Sequence, residues 1–150
     1  MTYNKNASLD ELRNICRQAG IKLTPQRLEI FKAISKAKDH PSAEALYEKL
    51  KKRMPTISLD TIYRTLNTFE KLGLIKKVHL LNDQARFDPD TGSHHHFICV
   101  KCKKIIDFKW PDFDSARPPE QVGGFGKILE QQAELRGICR KCLEKKKSQR

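Results

Sequence analysis

Residues 57–81 read ISLDTIYRTLNTFEKLGLIKKVHLL, a helix pattern that runs directly into a strand pattern. Ser58 occupies an N-cap position and Gly73 a C-terminal stop, so SLDTIYRTLNTFEKLG is predicted to be a helix. Leu59, Ile62, Leu66 and Phe69 recur at helical spacing and form its core face. The opposite face carries Asp60, Thr61, Arg64, Asn67, Thr68 and Lys71, with Tyr63 on the flank. These are hydroxyls, an amide, a guanidinium and a phenol, which can reach base edges and phosphates in a major groove. LIKKVHLL follows as a strand, with a turn at Asn82-Asp83 and a short return strand, ARFD. The competing reading is a packing helix with a polar outer face.

Working outward, the preceding residues supply three more helices. Ser8-Leu-Asp-Glu11 is a capping box, followed by Leu9, Leu12, Cys16 and Ala19 as an apolar stripe in which Cys16 is a buried, inert thiol. Thr24-Pro25 opens a helix with Leu28, Phe31 and Ile34 inward. Ser42 opens a third, with Ala43, Leu46, Tyr47, Leu50 and Met54 on one side, stopped by Pro55. Helices followed by a two-stranded wing describe a winged helix-turn-helix domain over residues 1–82. Its candidate DNA contacts are Ser58, Thr61, Tyr63 and Arg64 on the helix and Lys76 and Lys77 on the wing.

Charge points the same way. The chain of 150 residues carries a formal +12, of which residues 1–82 hold +8 and residues 83–150 hold +4. Such an excess suits a polyanionic partner, nucleic acid above all, although a basic surface can also serve solubility alone. No apolar run is long enough to span a membrane, and the start lacks signal-peptide features, so a cytoplasmic protein without a membrane partner is expected.

After a hinge over residues 83–93 the pattern changes to short strands, HHHFIC and KIIDFKW. A Pro/Gly-rich stretch, PDFDSARPPEQVGGFG, follows, then a strand candidate, KILEQQAELRGIC, and a basic tail, KKKSQR, read as mobile. Cys99-Val-Lys-Cys102 and Cys139-Arg-Lys-Cys142 are two CxxC knuckles, able to close a tetrahedral Cys₄ site around structural Zn²⁺. Lys and Arg inside the knuckles are expected to favour thiolate. The rival is a thiol oxidoreductase using its CxxC pairs; a disulfide framework is disfavoured in a reducing cytosol. A zinc-stabilised RNA- or protein-binding module is a third reading.

The histidines need a separate explanation. On a strand, His94 and His96 share a face and His95 points away, so two imidazoles can chelate one ion. Asp88, Asp90 and Asp107 are metal-friendly neighbours. His40, in DHPSAEALY, is by itself an ordinary surface or core histidine, and so is His79.

GIKLTPQRLEIFKAI, HPSAEALYEKL, ISLDTIYRTLNTFEKLGLI, RFDPDTGSHHHFICVKCKKIIDF and GICRKC together resemble the ferric uptake regulator (Fur) superfamily of bacterial metal-responsive repressors, over nearly the whole chain. The resemblance implies an α+β protein and not an enzyme: a homodimeric repressor of a palindromic double-stranded DNA operator. Its winged-helix domain is followed by a small α/β dimerisation domain, residues 94–150, with Cys₄ zinc. It also implies a regulatory Fe²⁺ or Mn²⁺ at the hinge, held by His40, Asp88, His94, His96 and Asp107. Aspartate at both 88 and 107, where iron-uptake members usually carry glutamate, looks like the peroxide-stress (PerR) branch. There, bound Fe²⁺ reduces peroxide and the oxidant formed attacks His40 or His94, releasing metal and DNA. An iron- or zinc-uptake repressor is the alternative within the family. Two departures stand out: PDFDSARPPEQVGG replaces a helix of the dimerisation domain, and Glu130-Gln131-Gln132 replaces the histidines of an additional metal site.

Overall fold

The computed structural model describes residues 6–78 and 84–148. The chain divides into two compact units, Met1–Gly92 and Ser93–Arg150. The first holds helices α1 (Leu9–Gln18), α2 (Pro25–Lys36), α3 (Ala43–Leu50) and α4 (Leu59–Lys71), then an antiparallel pair, β1 (Lys76–Val78) and β2 (Arg86–Asp88). Every helix start is a side-chain cap. Ser8, Thr24, Ser42 and Ser58 accept the amide three residues on, at 3.1–3.2 Å, each worth about 1 kcal/mol. At the end of α4, Gly73 takes φ 74, a left-handed conformation that costs glycine little.

The core of this unit is Leu12, Cys16, Ile30, Phe31, Ile34, Leu46, Leu50, Ile62, Leu66, Phe69, Leu74 and Phe87. The Phe31 and Phe69 rings meet edge to face at 5.8 Å. Burial pushes the Cys16 thiol up, so it is inert as expected. Three expectations need correction. Leu9 is 39% exposed and Ala19 is exposed, so the inward stripe of α1 is Leu12, Ile15 and Cys16. Helix α3 ends at Leu50, short of Met54. Leu74 and Ile75, read as the start of a strand, are buried in the core, and β1 begins at Lys76; residues 79–81 of that strand and the predicted turn at Asn82-Asp83 lie outside the described residues.

The second unit holds β3 (His95–Cys99), β4 (Ile105–Phe108), α5 (Pro111–Ser115), α6 (Glu120–Gly123), β5 (Glu134–Gly137) and α7 (Arg140–Ser148). Its sheet runs β4-β3-β5, with β3 antiparallel to β4 and parallel to β5. The register places His96 opposite Asp107, and Phe97 between Ile106 and Leu135. A β-carbon on Gly137 would lie 3.0 Å from the Phe97 ring, so glycine is what lets that ring lie against β5. The Pro/Gly-rich stretch holds two short helices, and β5 uses only four residues of its long candidate segment. Helix α7 runs through Lys145–Ser148, so the basic tail is helical that far; Gln149 and Arg150 lie outside the described residues. No helix among the described residues is long and apolar enough to cross a membrane.

Buried apolar side chains are few in this unit: Ile98, Cys99, Ile105, Ala133 and Cys139. Val100, Ile106, Trp110, Phe125, Ile128, Leu129, Leu135 and Leu143 are exposed. So small a core calls for a covalent or metal staple, a partner, or both.

Candidate metal centres

The four knuckle cysteines converge. Their Sγ atoms all lie within 4.8 Å of one another, with Cys99–Cys142 at 3.9 Å and Cys102–Cys139 at 3.7 Å. A tetrahedron with Zn–S bonds of about 2.3 Å has S···S edges of about 3.8 Å, so the set fits Zn²⁺. The knuckle turn is closed by the Lys103 amide on the Cys99 carbonyl at 2.9 Å, with Lys103 at φ 65. Backbone amides of Cys139 (3.3 Å) and Cys102 (3.5 Å) donate to Cys99 Sγ. These two amides are the main reason the Cys99 thiol drops to about 6. The Lys and Arg side chains that were expected to favour thiolate are not among the causes at Cys99. Cys142 is pushed up to about 12, chiefly by its hydrogen bond with Cys139 and by burial; a bound cation would reverse that shift.

On the opposite strand end, the period-2 reading holds. His94 and His96 are buried, with Nε2 atoms 3.1 Å apart and rings edge to face. Asp107 Oδ1 stands 3.7 Å from His94 and 3.3 Å from His96. Two ligand nitrogens on bonds of about 2.1 Å at a right angle are about 3.0 Å apart, so this triple fits one cation. His95 turns to the other face. Its Nδ1 accepts the Ala133 amide at 3.0 Å and its Nε2 meets Asp114 at 2.7 Å, among Phe108, Trp110 and Phe113. An amide donor on Nδ1 places the proton on Nε2, where it is donated to Asp114.

In the first unit His40 and Asp88, both buried, meet at 3.2 Å. The other oxygen of Asp88 accepts the Asp90 amide at 2.9 Å, which aims the carboxylate. His40 has φ 50, a left-handed conformation uncommon for a residue with a β-carbon. It is held there from β2. The Arg86 guanidinium donates to the carbonyls of His40 and of Asp39, the latter at 2.6 Å. The Phe87 amide donates to Pro41 at 3.0 Å.

Residues 18–123 match the ferric uptake regulator family. The chain belongs to that family. A peroxide-responsive repressor from Staphylococcus epidermidis is 35% identical over 136 residues, covering 91% of either chain. The ferric uptake regulator Fur of Helicobacter pylori, a structure with three functional metal-binding sites, superposes with a TM-score of 0.77 at 26% identity over 90% of this chain and 91% of that one. The Campylobacter jejuni peroxide stress regulator gives 0.63 at 27% identity over 91% and 99%. The protein is therefore a regulator and not an enzyme, and the thiol oxidoreductase reading falls.

For a regulator of this family the polar face of α4 is the next concern. Ser58 is occupied as the cap, its hydroxyl 2.8 Å from that of Thr61. The Tyr63 hydroxyl donates to Glu44 on α3, which raises its pKa. Arg64 is exposed and its Nε lies 2.9 Å from Asp60. Lys77 donates to Asn67 at 3.3 Å and its ammonium lies 5.8 Å from the centre of the Phe87 ring, while Lys76 is half-buried on the same strand. Arg86, Asp114 and Glu44 were missed by sequence reasoning, and Asp90, read there as a metal-friendly neighbour, donates its amide to Asp88. No local pattern marks the first three, because each acts on a partner that only the fold supplies.

Proposed function

We propose that the protein is a homodimeric, metal-dependent repressor that binds a palindromic double-stranded DNA operator in the cytoplasm and leaves it when peroxide oxidises a histidine ligand. Cys99, Cys102, Cys139 and Cys142 would hold structural Zn²⁺, supported by sulfur spacings of 3.7 and 3.9 Å. His40 and Asp88, with His94, His96 and Asp107, would take one regulatory Fe²⁺ or Mn²⁺ at the hinge, residues 83–93. Neither set alone supplies the five or six donors such ions favour; together, three imidazoles and two carboxylates leave one position open.

The observation that carries the peroxide reading is that both carboxylates standing beside the imidazoles, Asp88 and Asp107, are aspartates. Bound Fe²⁺ would supply the electron that peroxide reduction needs. The net change would be one ring C–H of His40 or His94 converted to C–OH by one oxygen of peroxide, the other oxygen leaving as water, and the altered ring would hold an ion less well. Phe97, Ile106 and Leu135, in cross-strand register and partly or largely exposed, support a second copy as partner. Dimerisation would set two α4 helices about one turn of DNA, roughly 34 Å, apart. Ser58, Thr61, Tyr63, Arg64, Lys76 and Lys77 are the proposed contacts.

The test is to expose the Fe²⁺ and Mn²⁺ forms to peroxide and follow both DNA binding and the mass of peptides covering His40 and His94. One added oxygen and DNA release in the iron form alone support the proposal. The likeness to the Helicobacter pylori ferric uptake regulator favours a second reading, an iron- or zinc-uptake repressor. It predicts release on metal withdrawal and no histidine oxidation.

A further inference from the structure

The Tyr63 hydroxyl leaves α4 and donates to Oε1 of Glu44 on α3. Glu44 stands in the first turn of α3, the end at which a helix favours negative charge. Its other oxygen, Oε2, is buried and has no hydrogen-bond partner among the described residues. A buried carboxylate oxygen left in that state is costly. What this carboxylate does achieve is to hold the phenol. The Tyr63 ring packs against the core of the unit, so the side chain is fixed along its length and at its tip.

The consequence lies in what Tyr63 can then offer. A phenol has one proton to donate and lone pairs that accept, whereas a carboxylate can only accept. The proton between the two residues is therefore the phenol's, and it is already committed. Beyond Glu44, Tyr63 presents its ring and an acceptor oxygen, never a donor. Phosphate oxygens are acceptors as well, so this hydroxyl gains nothing from the DNA backbone, which carries no sequence information.

We propose that Glu44 is a specificity-determining residue that acts through Tyr63: by holding the phenol proton it withholds from DNA a donor that any phosphate would satisfy. This rests on the DNA-binding reading and adds to it a positioning residue on α3, outside the proposed contacts. The plainer alternative is a staple between α3 and α4 that matters to stability alone.

The test uses the full-length, metal-loaded protein with two duplexes of equal length, one selected by the wild-type protein from a random pool and one unrelated. The ratio of the two affinities is the selectivity. Glu44→Ala frees the phenol proton and should lower selectivity about tenfold, mainly through tighter binding of the unrelated duplex. Glu44→Gln removes the same charge but keeps an acceptor oxygen, so it should retain the wild-type selectivity. Tyr63→Phe has no proton to withhold, and adding Glu44→Ala to it should lower selectivity no further. If Glu44→Ala does not fold, Glu44→Leu, which keeps bulk without an acceptor, carries the same expectation. Wild-type selectivity in the variant without an acceptor, an equal loss in Glu44→Gln, or a further loss in the double variant would overturn the proposal. A shifted thermal melt with unchanged selectivity would leave the staple in its place. Wild-type protein that enriches no duplex from the pool would remove the DNA-binding reading itself, and the role of Glu44 with it.

Discussion

Replacing Arg86 with alanine should loosen the regulatory site without touching any proposed ligand. Arg86 donates to the carbonyls of Asp39 and His40 and keeps His40 at φ 50. A hydrogen bond from a charged donor contributes about 1.5–3 kcal/mol, and two on a half-exposed side chain sit near the lower end, about 3 kcal/mol together. Release of the left-handed residue returns about 1–2 kcal/mol, so the net loss of stability should be about 1–2 kcal/mol. Metal binding must then restore the lost conformation from its own free energy. That weakens the regulatory ion by about five- to thirtyfold, since 1.4 kcal/mol is tenfold. Urea unfolding reads the first quantity, and competition of Mn²⁺ against a fluorescent chelator reads the second. Unchanged Mn²⁺ affinity beside the expected stability loss would refute the role given to Arg86.

Other outcomes follow from the same geometry. Cys139→Ser should abolish stoichiometric zinc and unfold residues 93–150 first, because that unit buries so few apolar side chains; retained zinc with a normal melt would contradict the Cys₄ assignment. Arg64→Ala should cost about 1–3 kcal/mol on the selected duplex, one chosen by the wild-type, metal-loaded protein from a random pool, if the guanidinium reads a base. Equal losses on an unrelated duplex would reassign it to phosphate. Tyr63 has a pKa raised above 10.0 by the hydrogen bond it donates to Glu44. Its contribution to stability is thus complete below the unfolded value and lost as pH rises through the folded one. Tyr63→Phe should flatten the alkaline decline in stability; an unchanged decline would speak against that bond.

What the sequence made legible was local. Ser8, Thr24, Ser42 and Ser58 sit where caps must, each followed by apolar residues at helical spacing, so four helix starts could be placed to the residue. Strand period alone separated His94 and His96 from His95. Lengths and partners set by tertiary contact stayed hidden. Leu74 and Ile75 look like strand residues but fill the core, and KKKS continues a helix that begins inside the cysteine knuckle. Arg86 lies 46 residues from the carbonyl it holds, and the Cys99 thiol is lowered chiefly by backbone amides, which carry no side-chain signature.

The central claim is that a single ion draws ligands from both units, with His40 as an indispensable contributor from the helical one. Affinity of His40→Ala for the selected duplex, with and without Mn²⁺, tests it most directly. We predict that the variant keeps its zinc and its melt yet no longer tightens on DNA when Mn²⁺ is added. A wild-type response to Mn²⁺ in that variant would contradict the claim.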